Sequence, residues 1–110
     1  MIEAGELDRR IVILRATVMQ DPGSGENVET WATLATVSAS WRRASAREQL
    51  AAAELAATVT DVFIVRWSTV TGAITPMDRV VYQGREYNLA EATEMGTREG
   101  IMLRGAARAE

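Results

Sequence analysis

The side chains able to do chemistry in this sequence are carboxylates, arginines and hydroxyls, because its 110 residues include no Cys, no His and no Lys. Without Cys and His there is no thiol nucleophile, no disulfide, no imidazole acid or base, and none of the usual structural zinc ligands. Without Lys there is no Schiff base and no phosphate-binding lysine of a P-loop. Carboxylate chemistry remains, and its spacing is wrong. Glu91 and Glu94 lie three apart in a predicted strand, hence on opposite faces, which suits no acid–base pair. No acidic run has EF-hand-like spacing. Gly23-Ser24-Gly25 lacks the strand-to-helix setting of a nucleophile elbow and has no histidine partner. The sequence predicts no catalytic residue, no metal site and no cofactor, and hence no enzyme.

Binding chemistry is what the charges offer. All 12 basic residues are Arg, set against 15 acids, for a net charge of −3. A dedicated DNA-binding domain normally carries a basic surplus, since neutralising phosphates supplies most of its affinity. Tight DNA binding by the whole surface is not expected, although a mildly acidic protein can still surround DNA without gripping it. Its densest basic cluster is Arg42, Arg43 and Arg47, while Arg9 and Arg10 sit beside Glu6 and Asp8. Arg9 and Arg10 read as inter-subunit ion pairs or as a solvated entry to the first strand; the Arg42 cluster reads as a charge belt matching an acidic neighbour or as a weak DNA-backbone contact repeated around a ring. Asp21, Pro22, Gly23, Ser24, Gly25, Glu26 and Asn27 form the clearest loop, which runs on to Glu29. Three readings of it stay open: an ordinary hairpin loop, an acidic element narrowing a DNA channel, or a docking loop. Trp31 and Trp41 are expected in the core, and Trp67, at a strand end, at an interface.

The elements that must position these residues are mostly strands. Ile11 to Met19 is rich in β-branched residues and apolar on both faces. A second strand from about Thr30 to Arg42 alternates strictly, with Trp31, Thr33, Ala35, Val37, Ala39 and Trp41 on one face. Ser45-Ala46-Arg47-Glu48 fits a capping box and opens an Ala-rich helix to Ala57, expected as a lid over one end of the fold, with a docking element for a neighbouring ring as the alternative. Val62 to Trp67 is the strongest strand. Gln83-Gly84 joins two more by a tight hairpin, and Gly100 to Arg104 begins the last. The tail from Ala106 to Glu110 is expected to fray.

About six short strands with one short α-helix predict a mainly β fold, a small barrel or sandwich, forming a single domain over residues 1–110. Apolar residues make up 47% of the chain, normal for a globular protein. No apolar run approaches the roughly 20 residues that span a bilayer, so no membrane partner is expected. Met1 to Glu6 has neither the cationic start nor the apolar stretch of a secretory signal, so a cytoplasmic setting is expected. Strands apolar on both faces are hard to bury in so small a monomer. A ring of copies would cover Val12, Leu14, Phe63, Val65 and Trp67 between core and subunit contacts.

In this order the features resemble the head-tail joining, or head-closure (stopper), proteins of long-tailed phages and of phage-derived gene transfer agents. The marks are Ala4-Gly5-Glu6-Leu7-Asp8-Arg9-Arg10-Ile11, Trp31 after the Gly-rich loop, and Ala39 followed by the turn from Ser45 to Glu48. Val65-Arg66-Trp67, Met77-Asp78-Arg79-Val80, Gly84-Arg85-Glu86-Tyr87-Asn88-Leu89 and Leu103-Arg104 continue the series. Ala46 stands where that pattern has a glycine, and Trp67 where it more often has a tyrosine. The resemblance implies a small β-barrel with a helix and extended loops. It further implies a homo-oligomeric ring, of roughly six or twelve copies, in the neck of a virion or phage-like particle assembled in a bacterial cytoplasm. A portal and adaptor ring would lie above it and a tail terminator or tail tube below. Double-stranded DNA would pass through the lumen without sequence-specific binding, retained until release. Two alternatives stand beside it: a tail-terminator or tail-tube ring protein, and a small β-barrel module that binds a ligand or peptide.

Overall fold

The computed structural model describes Gly5 and residues 7–108. Ala4 and Glu6 of the opening motif, Met1 to Glu3, and the end of the predicted fraying tail at Ala109 and Glu110 lie outside the described residues. The chain runs β1 (Arg9–Gln20), β2 (Asn27–Arg43), α1 (Ala46–Glu54), β3 (Asp61–Arg66), a short 3-10 turn (Thr71–Ala73), β4 (Arg79–Tyr82), β5 (Arg85–Met95) and β6 (Gly100–Ala107). The six strands close into an antiparallel barrel in the order β1-β2-β3-β6-β5-β4, with β4 pairing back onto β1. The expected mainly β barrel with one helix is the fold observed.

The inward-facing residues follow strand alternation. Ile11, Ile13, Ala39, Phe63, Val65, Val80, Leu89, Ile101 and Leu103 are buried in one cluster. Phe63 sits at its centre, edge-on to Tyr82 at 5.4 Å and to Tyr87 at 5.3 Å between ring centroids, a favoured aromatic geometry. Trp41 stacks on Tyr82 at one end of the barrel. At the other end, residues 67–78 cross from β3 to the non-adjacent β4 and close the barrel by burying Thr71 and Ile74.

The helix is not the expected lid over a barrel end. Val62 and Ile64 point out of the barrel on β3, and Met102 does so on β6; with Ala44, Val59 and Ala52 of α1 they form a second apolar cluster against the outer wall. This layer has a consequence for the ring argument. β3 is apolar on both faces, yet Val62, Phe63 and Val65 are fully buried within one chain. A neighbouring subunit is not needed to cover that strand. The capping box is present, with Glu48 N–H donating to Ser45 Oγ and Ser45 N–H to Glu48 Oε1. The helix stops at Glu54 rather than continuing to Ala57. Ala56 turns left-handed at φ 57°, and Ala57 N–H reaches back to Ala52 O.

β2 departs from strict alternation. The register passes from Ile13↔Ala35 to Leu14↔Thr33, leaving Leu34 as an extra residue in a β-bulge. A one-residue slip exchanges the faces of everything beyond it. Leu34 therefore packs against the core, while Trp31, expected inside, pairs with Ala16 on the outer side. There the Arg79 guanidinium lies 3.8 Å from its ring centre.

The predicted Gln83-Gly84 hairpin is a two-residue turn with both φ values positive, 51° and 76°. Gly105 is required for a different reason: a Cβ there would collide with the carbonyl of Asn88 across β5–β6. Gly105→Ala is expected to lower stability by ~2 kcal/mol through forced strand separation, read as an earlier urea midpoint.

Candidate functional site

The loop predicted from Asp21 onward is the tip of a long arm. β4 pairs with β1 only at Val12, Ile13 and Leu14, and β3 pairs with β2 only at Ala39–Arg43. The outer halves of β1 and β2 therefore pair only with each other, out to Gln20↔Asn27. β2 begins at Asn27, three residues earlier than the sequence suggests, so Asn27 and Glu29 belong to the strand. The tip is internally bonded. Asp21 accepts from Gly23 N–H and Ser24 Oγ–H, Asp21 N–H donates to Glu26 O, and Gly25 takes φ 75°. The Ser24 hydroxyl, then the Gly23 amide, hold the Asp21 carboxyl below its ordinary range, so it is an anion at neutral pH.

The root of the arm is fastened by a residue that the sequence reading passed over. Arg15 donates from Nε and Nη2 to the two oxygens of buried Asp78, at 3.0 and 2.9 Å, and from Nη2 to Ala73 O. Asp78 also accepts from Thr75 N–H. A bidentate guanidinium–carboxylate pair fixes orientation as well as distance. The arm is thereby tied to the segment closing its end of the barrel. Beyond this root its surface is apolar in places: Val18 is 59% exposed, Met19 67% and Val28 48%.

The predicted basic cluster is split by strand alternation. Arg42 faces outward and forms a two-pronged pair with Glu48, at 2.6 and 3.1 Å. Arg104 on β6 donates to the same Glu48 and to Glu91, at 2.9 and 3.0 Å. This network pins the start of α1 to the barrel wall. Arg42, then the Ser45 amide and Arg104, hold the Glu48 carboxyl far below the usual carboxylate range. Arg47 is exposed at the edge of a groove between α1 and the barrel. Arg43 turns the other way, toward the open end of the barrel.

That open end is a polar mouth of about 370 Å³, lined by Arg9, Arg43, Arg85, Asp61, Trp41 and the phenols of Tyr82 and Tyr87 among others. Arg9 donates to Tyr82 Oη at 3.0 Å and lies 3.6 Å from Asp8. Asp61 accepts from Trp41 Nε1–H at 2.8 Å and Thr60 Oγ1–H at 2.6 Å. Burial, then the charge of Asp61, raises the Tyr87 phenol above its ordinary value, so it stays protonated. Arg85 escaped the sequence reading. It follows the Gln83-Gly84 turn, and only barrel closure brings it beside Arg9 and Arg43.

Two candidates fall elsewhere. Arg10 donates to Ser38 Oγ on the outer surface. Trp67 is half-buried against the core cluster, with Arg98 4.9 Å from its ring centre and Gly72 against its Nε1. Among the described residues no group of three metal-ligating side chains converges, and no helix is long and apolar enough to cross a membrane.

Residues 2–106 match the family model described as Phage head completion protein. The chain belongs to that family. Membership makes it a phage structural component, supports a role in closing the head, and implies association with other phage head and tail proteins. The fold also matches the solution structure of protein SF1141 from Shigella flexneri 2a, with TM-score 0.79 over 99% of each chain at 23% identity. At that identity the likeness is one of fold. No curated protein matches the chain.

For this family member the Glu48 network sets an acid-side dependence with a definite sign. Its folded-state pKa is depressed, so the stabilisation is present above the unfolded value near 4.5 and is lost as pH falls below it. Glu48→Gln keeps a capping-box side chain but loses both ion pairs. It is expected to cost ~1 kcal/mol at pH 7, discounted for the half-exposed Arg42. Urea unfolding from pH 7 down to pH 3 should show the gap between variant and parent narrowing below the unfolded value.

Proposed function

We propose that the chain is the repeating subunit of a head-closure ring beneath the portal and adaptor, which retains packaged DNA and presents the surface onto which the tail docks. The whole of residues 1–110 acts as one joining domain, and its work is geometric rather than catalytic. Family membership carries the reading, and one structural observation gives it a mechanism. The barrel sends a rigid two-stranded arm out of its own body, with an internally bonded acidic tip.

An arm of this kind has no use within its own subunit. Its residues beyond Arg15 add nothing to the barrel core, and its exposed Val18, Met19 and Val28 are suited to burial against another protein. Between Gln20 and Trp31 the sequence has three carboxylates and no basic residue. Such a tip repels phosphate, so it serves protein contact or the narrowing of a channel rather than a grip on DNA. Arg9, Arg10, Arg42, Arg43, Arg47 and Trp67 lie at or near the outer surface and are assigned to contacts between subunits or with adjoining rings. Arg42 acts there through its hold on α1.

The decisive test is removal of the gene followed by imaging of the particles. Filled or leaking heads separate from complete tails are expected; normal tailed particles would overturn the reading. Replacing residues 22–26 with Asn-Gly keeps a hairpin turn while removing the tip. That variant is expected to keep the circular dichroism and melting of the parent yet lose DNA retention or tail attachment. Loss of folding instead would make the tip a structural element only.

A further inference from the structure

We infer that the arm tip of one copy of this chain docks into the arginine mouth of the next. The inference rests on the ring reading and names the contact that would build the ring.

The two features lie at opposite ends of one molecule. Arg9 opens β1 at the mouth, and Gln20 ends it at the tip. Eleven residue-to-residue steps of about 3.4 Å separate them by roughly 37 Å, in a molecule whose longest dimension is 50 Å. The mouth opens at the end of the barrel away from residues 67–78, and the arm leaves past that closed end. A neighbour displaced along β1 therefore presents its mouth where this copy's tip arrives. The same surfaces repeat in each copy, giving a heterologous contact that closes a ring when each copy is also rotated relative to the last.

Charge selects the occupant. The chain is acidic overall, yet three guanidiniums meet one carboxylate in the lining of the mouth. Arg9 is partly answered by exposed Asp8 and by Tyr82. Arg43 and Arg85 have no carboxylate partner among the described residues, and both are exposed. At the tip, Asp21 is held as an anion, and the exposed Glu26 side chain has no partner among the described residues. Asp21 and Glu26 are bridged by the Asp21 N–H to Glu26 O bond, so one rigid turn carries both charges. Three donor-rich guanidiniums, preorganised by Trp41, Tyr82 and their strands, match two carboxylates on such a turn. The apolar stretch at Val18, Met19 and Val28 lies just behind the tip, where the neighbour's barrel rim would cover it.

Because the chain contains no Cys, a paired-cysteine test is clean. Particles are purified from cells whose only copy carries Glu26→Cys with Arg85→Cys, then oxidised and run on a non-reducing gel. A ladder of multimers of this chain is expected. The control pair Glu26→Cys with Arg98→Cys, at the closed end of the barrel, should give none. Equal ladders, or no ladder in particles that contain the chain, would overturn the contact and leave the head-closure reading intact.

Charge exchange gives an answer even where the cysteine variants fail to assemble. Glu26→Arg alone, and Arg43→Glu with Arg85→Glu, are each expected to reduce infectious or DNA-transferring particles at least about tenfold, since a repeated contact amplifies each loss. All three changes together should restore the yield to within about threefold, by re-pairing opposite charges. An additive loss would overturn the contact. Weakened binding of a short DNA duplex by Arg43→Glu/Arg85→Glu, with no rescue by Glu26→Arg, would assign the mouth to phosphate instead.

Discussion

Closure of the barrel through a four-residue strand governs the rest of the molecule. β4 can cover only Val12, Ile13 and Leu14 of β1, yet β1 and β2 are far longer than this seam requires. Backbone amides and carbonyls past the seam must still find partners. The outer halves of β1 and β2 satisfy each other, and the arm follows from that requirement. The same seam positions Arg79, opposite Leu14, where it stacks on Trp31 and lies 3.7 Å from Glu86. Barrel and arm share β1 and β2, with the Leu34 bulge at their junction and the Arg15–Asp78 pair holding the root.

Charges in this chain fall into two populations with different work. One is spent inside the subunit. Arg15 with Asp78 locks the arm root to the closing segment, and Arg42, Glu48, Arg104 and Glu91 lock α1 to the wall. These pairs are partly shielded, share partners and use both carboxylate oxygens, which separates them from isolated surface pairs of little worth. The other population, Glu26 at one end and Arg43 and Arg85 at the other, has no opposite charge to pair with among the described residues; Arg85 meets the neutral Tyr87 phenol rather than a carboxylate. The arginines that converge in the mouth of this acidic protein are exposed and repel one another, and an acidic partner would relieve that repulsion.

The helix shows how a local signal can be right while its placement is wrong. Ser45 and Glu48 form the capping box that their spacing predicts. Yet α1 covers the outward face of β3, because Val62, Ile64 and Met102 offer an apolar patch there, and Ala52 lets the helix lie close. The end of the barrel is closed instead by residues 67–78, a segment for which, past Trp67, the sequence predicts neither strand nor helix. Burying β3 on both sides within one chain removes the argument that surplus apolar strands demand a ring. Exposed apolar side chains remain on the arm at Val18, Met19 and Val28, and elsewhere at Leu50, Leu55 and Met77.

The sequence alone determined what depends on neighbours along the chain. Alternation gave the strands, the Gln83-Gly84 pair gave its hairpin, the capping box gave the helix start, and the absence of Cys, His and Lys removed whole classes of chemistry. The tertiary structure alone decided what depends on pairing across the barrel. One extra residue at Leu34 turned Trp31 outward, strand parity separated Arg42 from Arg43, and closure brought Arg85 and Asp61 to the same mouth as Arg9. The physical reason is range. Propensity and turn chemistry act over a few residues, whereas register and closure join positions far apart in sequence, and a shift of one residue reverses which face each side chain takes.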